Sequence, residues 1–117
     1  MKLSIIIPCY NEEKTISELL GTVLEVNLEK IKKEIILIDD GSKDNTLELI
    51  ETKIKQKNKE QIILLRNKEN HGKGYSIRKA LKEVTGDIVI IQDADLEYDP
   101  SDYLKLIKPI LNKETSV

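Results

Sequence analysis

Four short β-branched runs, each followed by one amphipathic stretch, constrain the fold of this chain more than any other feature. The runs are Leu3 to Ile7, Glu34 to Ile38, Ile62 to Leu65 and Ile88 to Ile91, and they are nearly continuous in apolar residues. Continuous runs of this length read as strands covered on both faces, whereas a strand with one wet face would alternate. The stretches between them carry apolar residues at helical spacing: Ile16, Leu19, Leu20 and Val23, then Leu47, Ile50 and Ile54, then Ile77, Ala80, Leu81 and Val84. A fourth set, Leu104, Ile107 and Leu111, follows the last run. Pro8 bounds the first strand, Asn11 is placed to cap the first helix, and Asp44 or Asn45 to cap the second. Gly86 stops the third helix, and Asp99 with Pro100 behind it opens the fourth. Strand and helix alternating four times predict an α/β fold: an open, mainly parallel, Rossmann-like sheet with helices on both faces.

At 117 residues the chain is one domain, large enough to bury roughly two thirds of its unfolded surface. Its charges are mixed in sign and sum to only -2, so no single-sign field invites nucleic acid. Cys9 is the only cysteine; no internal disulfide can form, and a reducing, cytoplasmic setting is expected. The apolar start at Leu3 to Ile7 is too short for a leader or a membrane span.

In open parallel sheets ligands bind outside the carboxyl ends of the strands, and the chemically interesting residues of this chain follow strands. Pro8 to Glu12 follow the first, Asp39 to Ser42 the second, and Asp93 to Glu97 the fourth. Residues two apart on an extended segment point the same way, so Asp93, Asp95 and Glu97 can converge on one point. Such an oxygen cluster suits a hard cation, Mg2+ or Mn2+, which commonly takes one or two carboxylates plus substrate phosphate oxygens. Without a cation, each close pair of negative charges would cost about 4 kcal/mol at 4 Å and an effective dielectric near 20.

The remaining loops supply other chemistry. Asp40 can accept hydrogen bonds from the imide or amide edge of a nucleobase beside a tight turn at Gly41, while Asp39 can equally be a structural acid that ties neighbouring loop amides together. Lys73, between Gly72 and Gly74 at the start of a helix, can approach a phosphate. The spacing there is neither that of a P-loop nor that of the dinucleotide fingerprint. Tyr10, Tyr75 and Tyr98 fall in these loops and offer a surface for a flat ring. Cys9 has only His71 as a conceivable partner, too little for a nucleophilic pair.

The segments IIIPCYNE, LIDDGSKDNT, NHGKGYSIRKAL and GDIVIIQDADLEYDP together resemble the nucleotide-sugar-binding half of an inverting family 2 glycosyltransferase of the GT-A fold. Within that family they are most similar to polyprenyl-phosphate (dolichyl-phosphate) mannosyl- and glucosyltransferases. The resemblance covers essentially the whole chain. It implies that Pro8, Tyr10 and Glu12 cradle the nucleoside, that Asp40 reads the base, and that Lys73 lies near the donor. Asp93 and Asp95 become the D-x-D acids that hold the metal on the donor diphosphate. Catalysis of leaving-group departure is expected to rest on Asp95, with Glu97 as a further metal ligand. The donor is then a UDP- or GDP-linked sugar and the acceptor a lipid phosphate.

Family members continue into an acceptor half, often with a membrane-associated region, where this chain reaches Ser116 and Val117. The expectation is therefore a donor-binding part over residues 1–117, truncated before its acceptor half, inactive in transfer alone, and touching a membrane only through what would follow. Two alternatives stand beside it: a remnant that holds nucleotide and metal without turnover, and a phosphoacceptor receiver-like domain. The receiver requires acids after its first strand, where Pro8 and Cys9 stand.

Overall fold

The computed structural model describes residues 1–28, 30–56, 61–94 and 99–111. Asp95, Glu97 and Tyr98, which carry part of the expected metal site and ring-stacking surface, lie outside the described residues, as does the side chain of Leu111. The order is β1 (Lys2–Cys9), α1 (Ile16–Glu25), β2 (Lys32–Asp40), α2 (Thr46–Gln56), β3 (Gln61–Asn67), α3 (Lys73–Leu81), β4 (Ile88–Ile91) and α4 (Tyr103–Leu111), the last entered through a 3-10 turn at Pro100–Asp102.

The strands form one parallel sheet in the order β3-β2-β1-β4. The chain moves outward from β1 to β3 and then returns to the other side of β1. The order therefore reverses between β1 and β4, which is where such sheets hold ligands.

Helices cover both faces. Leu3, Ile5, Ile7, Ile35 and Leu37 turn to one side and pack with Leu19, Leu20 and Val23 of α1, Ile50 of α2, and Tyr103 and Ile107 of α4. Ile6, Ile36 and Ile38 turn to the other side against Ala80 of α3. Burial of each such side chain contributes about 1.5–3 kcal/mol relative to exposure. Lys33 joins sheet to helix differently: its ammonium donates to the carbonyls of Val23, Leu24 and Val26 and so closes the end of α1. Among the described residues no helix is long and apolar enough to cross a membrane.

Several local expectations are corrected. β1 continues through Pro8 to Cys9. The carbonyls of Lys2 and Ile6 accept from the β4 side, so Pro8, two residues on, turns its missing N–H past the end of that short strand. Asn11 does not cap α1; it adopts a positive φ of 53° and its Oδ1 accepts the Lys43 N–H. Leu81 is exposed, and α3 buries Ser76 and Ala80 instead. Among the described residues strand β4 is covered unevenly: Ile88 and Ile90 pack against the core, while Val89 and Ile91 are exposed, α3 packing mainly over β2 and β1. Tyr103, at the start of α4, is fully buried and donates its hydroxyl to Gln92 Oε1 at 2.7 Å.

Candidate active site

Two loops meet at the carboxyl edge of the sheet, and backbone hydrogen bonds lock them together. The Asn11 N–H donates to Ser42 Oγ, the Glu12 N–H to Thr46 Oγ1 at 2.8 Å, and the Asn45 N–H to Glu13 Oε2. Asp44 completes the clamp. It accepts from the Thr46 N–H and hydroxyl, opening α2, and from the Glu13 N–H. Burial acts to raise its carboxyl, but these donors hold it below the usual range. On the other side the Thr15 hydroxyl donates to the Ala94 carbonyl at 2.6 Å, fastening the start of α1 to the segment after β4.

Within this frame lies a cavity of about 330 Å³. Pro8, Tyr10, Glu12, Asp40, Lys73 and Asp93 all line it, with Cys9 and Ser76. The residues that the family resemblance assigns to the site, other than Asp95 and Glu97, thus line one cavity.

Asp39 and Asp40 differ sharply. Alternation along β2 sends Asp40 to the α3 side, where its carboxylate is saturated. Oδ1 accepts from Asn67 Nδ2 at 2.8 Å and the His71 N–H at 2.9 Å; Oδ2 accepts from Asn70 Nδ2 at 3.0 Å and the Gly72 N–H at 2.9 Å. Burial would raise the Asp40 carboxyl, yet the N–H of His71, Asn67 and the N–H of Gly72 hold it below the ordinary range. Through these four donors Asp40 shapes the glycine loop, and it also lines the first cavity. Asp39 is only 1% exposed, and its Oδ1 is buried without a hydrogen-bond partner. It lines a second cavity, of about 340 Å³, beside Tyr10, Ser42 and Arg66. A buried acceptor left open is costly and uncommon, and it points to a donor supplied from elsewhere.

The glycine loop delivers one charge to the first cavity. Gly72 has φ 98° and ψ 159°, a region open essentially to glycine alone, and from it α3 begins at Lys73. The Lys73 ammonium pairs with Asp93 Oδ1 from across the crevice. Asp93 thus faces a cationic side chain across the first cavity. Among the described residues no three acids, histidines or cysteines gather around one point; the partners assigned to Asp93, namely Asp95 and Glu97, lie outside them.

The other candidates have plain structural roles. Cys9 is buried; burial first, then the charges of Asp39 and Glu12, push its thiol far above the usual range, so it is no nucleophile. His71 stacks on Tyr75 with ring centroids 4.3 Å apart. The sequence did not mark Thr46, Asn67 and Asn70, each of which holds an acid or a loop amide, or Ser76, whose Oγ accepts from Asn67 Nδ2. Only their positions just after β2 and β3 or at helix starts could have marked them.

Residues 4–117 match the family described as glycosyl transferase family 2. The chain belongs to that family. It is 42% identical over 97 residues to the poly-beta-1,6-N-acetyl-D-glucosamine synthase of Staphylococcus aureus strain COL, a match covering 83% of this chain and 22% of the synthase. Among solved structures it resembles the mannosyltransferase PcManGT of Pyrobaculum calidifontis in complex with GDP-Man and Mn2+, with TM-score 0.80 and 30% identity over 87% of this chain and 30% of that one. It is equally close to S. aureus TarS 1-349 in complex with UDP-GlcNAc, with TM-score 0.80 and 33% identity over 97% of this chain and 32% of that one. The chain thus spans about a fifth to a third of these relatives. The fold is that of GT-A glycosyltransferases, and relatives of this chain bind nucleotide sugars, one of them with Mn2+.

Proposed function

We propose that this domain binds a nucleotide-diphosphate sugar with a divalent metal and presents it for transfer, with inversion, to an acceptor held by further chain. The observation that carries the reading is the crevice between β1 and β4, where Lys73 and Asp93 face one another in a cavity also lined by Pro8, Tyr10 and Glu12. Tyr10 borders both cavities, so one aromatic ring lies between the place for the base and the place for the diphosphate. Asp39, with its open Oδ1, receives an N–H of the base; Asp40 holds the loop that carries Lys73.

Asp93, with Asp95 and Glu97, would hold Mg2+ or Mn2+, and that cation would neutralise the charge the diphosphate gains as the glycosidic bond breaks. Lys73 adds a second positive charge to the same leaving group. A polyprenyl phosphate is our first candidate acceptor, because it is already anionic near neutral pH and needs positioning more than a general base. Among the described residues neither Cys9 nor His71 is arranged as such a base. The likeness to a glucosamine-polymer synthase favours a second acceptor, the hydroxyl of a growing glycan, whose base would have to come from outside the described residues.

Calorimetry with UDP, GDP and their sugar conjugates, with and without Mn2+, tests the donor reading. We expect metal-dependent binding that Asp95→Asn removes; unchanged affinity in that variant would overturn the metal assignment. Supplying polyprenyl phosphate or a glucosamine oligomer to the longer protein separates the two acceptors. The 117-residue chain alone should transfer little to either.

A further inference from the structure

We propose that Lys73 is an internal placeholder for the metal: it holds Asp93 while the crevice is empty and releases it only when a donor diphosphate gives the ammonium another anionic partner. The inference rests on reading this crevice as the donor site. Lys73 and Asp93 are 20 residues apart in sequence and reach across the cavity from different elements. Their side chains are 54% and 41% exposed, so their own charges, more than surrounding packing, bring them together. The lysine backbone is held in place. It follows Gly72, whose N–H is bound by Asp40, and it begins α3.

The electrostatic consequence follows from the shared carboxylate. A cation arriving alone must displace the ammonium from Asp93 and then remain beside it, where like charges repel. A nucleoside diphosphate arriving with the cation offers phosphate oxygens to both, so Lys73 moves from carboxylate to phosphate and Asp93 is freed for the metal. No covalent bond changes; three charged groups exchange partners. Metal and diphosphate then tighten one another, and linkage makes the effect equal in both directions. A lysine that merely contacts phosphate would strengthen diphosphate binding and leave the affinity for metal alone untouched. A placeholder must weaken it.

The test compares the wild-type chain with Lys73→Met, which keeps the stem and a good helix former at an exposed position. Free Mn2+ is followed by electron paramagnetic resonance, first without nucleotide and then with saturating UDP, or GDP if that is the nucleotide bound. Lys73→Met should bind Mn2+ alone about two- to fivefold more tightly, the scale of an exposed ion pair. The tightening of Mn2+ by nucleotide should shrink by a similar factor, and Lys73→Arg should retain it. Equal or weaker Mn2+ binding by Lys73→Met, with Asp93→Asn still losing Mn2+, would overturn the placeholder and leave the donor site standing. If Asp93→Asn has no effect and neither nucleotide changes Mn2+ binding, the donor-site reading fails and the placeholder falls with it.

Discussion

The backbone N–H of Gly72 donates to Asp40 Oδ2 at 2.9 Å, and the N–H of His71 to Asp40 Oδ1 at the same distance. One carboxylate at the end of β2 therefore sets the path of a loop more than thirty residues later in the chain. Because α3 starts at the next residue, that contact also fixes where Lys73 stands over Asp93.

Asp40→Asn should consequently damage both the fold and the site. The amide keeps the shape of the carboxylate but turns an NH2 group toward at least one of the N–H donors that the carboxylate accepts. Leaving such a donor buried without an acceptor costs about 1–3 kcal/mol. Urea denaturation should show a lower midpoint, with nucleotide affinity falling as the loop loosens. An unchanged midpoint would mean that the loop is held by other contacts.

A second acid, far from the site, predicts the pH dependence. Glu34 is fully buried and accepts from Ser4 Oγ at 2.6 Å, Gln61 Nε2, and the N–H and hydroxyl of Thr85. Burial would raise its carboxyl, but Ser4, Thr85 and the charge of Lys2 together keep it below its ordinary value of 4.5. A carboxyl lowered on folding contributes stability that is present above its unfolded value and is lost as pH falls through the folded one. Asp40 and Asp44 shift in the same direction. Urea midpoints should thus be steady near neutrality and fall below about pH 4.5, where the unfolded chain begins to bind more protons. Glu34→Gln should lower the midpoint at pH 7 and make the acid decline shallower. Parallel acid declines in the two proteins would exclude Glu34 as a contributor.

These two acids also show what could be read in the sequence and what could not. The strands and helices were legible because their signals are local: a β-branched run, an i, i+3, i+4 spacing, a proline or a glycine. The position of the crevice was legible too, since strand ends and topology determine it. Hydrogen-bond partners were not. Glu34 reads as the polar edge of an apolar run, yet its partners come from β1, β3 and the segment before β4. Tyr103 fills the core of a chain that has no Phe or Trp, which its helical spacing alone did not reveal. The exposed faces of Val89 and Ile91 depend on how far α3 reaches, a property of packing and not of composition.

Cys9 should be chemically silent in the native state. It is 2% exposed, its Sγ donates to the Ile7 carbonyl at 3.5 Å, and burial beside Asp39 and Glu12 strongly disfavours the thiolate. Since the thiolate is the reacting species, alkylation by iodoacetamide at pH 8 should follow opening of the fold. Mass spectrometry should find labelling slow in buffer and fast in denaturant. Rapid native labelling would mean that the end of β1 is open.

Asp39→Asn is the counterpart of Asp40→Asn, and the pair separates the two acids by sign. Asp39 has a buried oxygen with no partner, so neutralising it removes a desolvation cost without breaking a described hydrogen bond. Its urea midpoint should hold or rise where that of Asp40→Asn falls. Nucleotide binding should move the other way, because a carboxylate accepting a base N–H is a charge-assisted bond whose loss costs about 1.5–3 kcal/mol, at least tenfold in affinity. Stability preserved and affinity lost is the signature of an acceptor reserved for ligand. If Asp39→Asn instead loses stability and keeps its affinity for UDP and GDP, the open oxygen has a structural task and base recognition returns to Asp40.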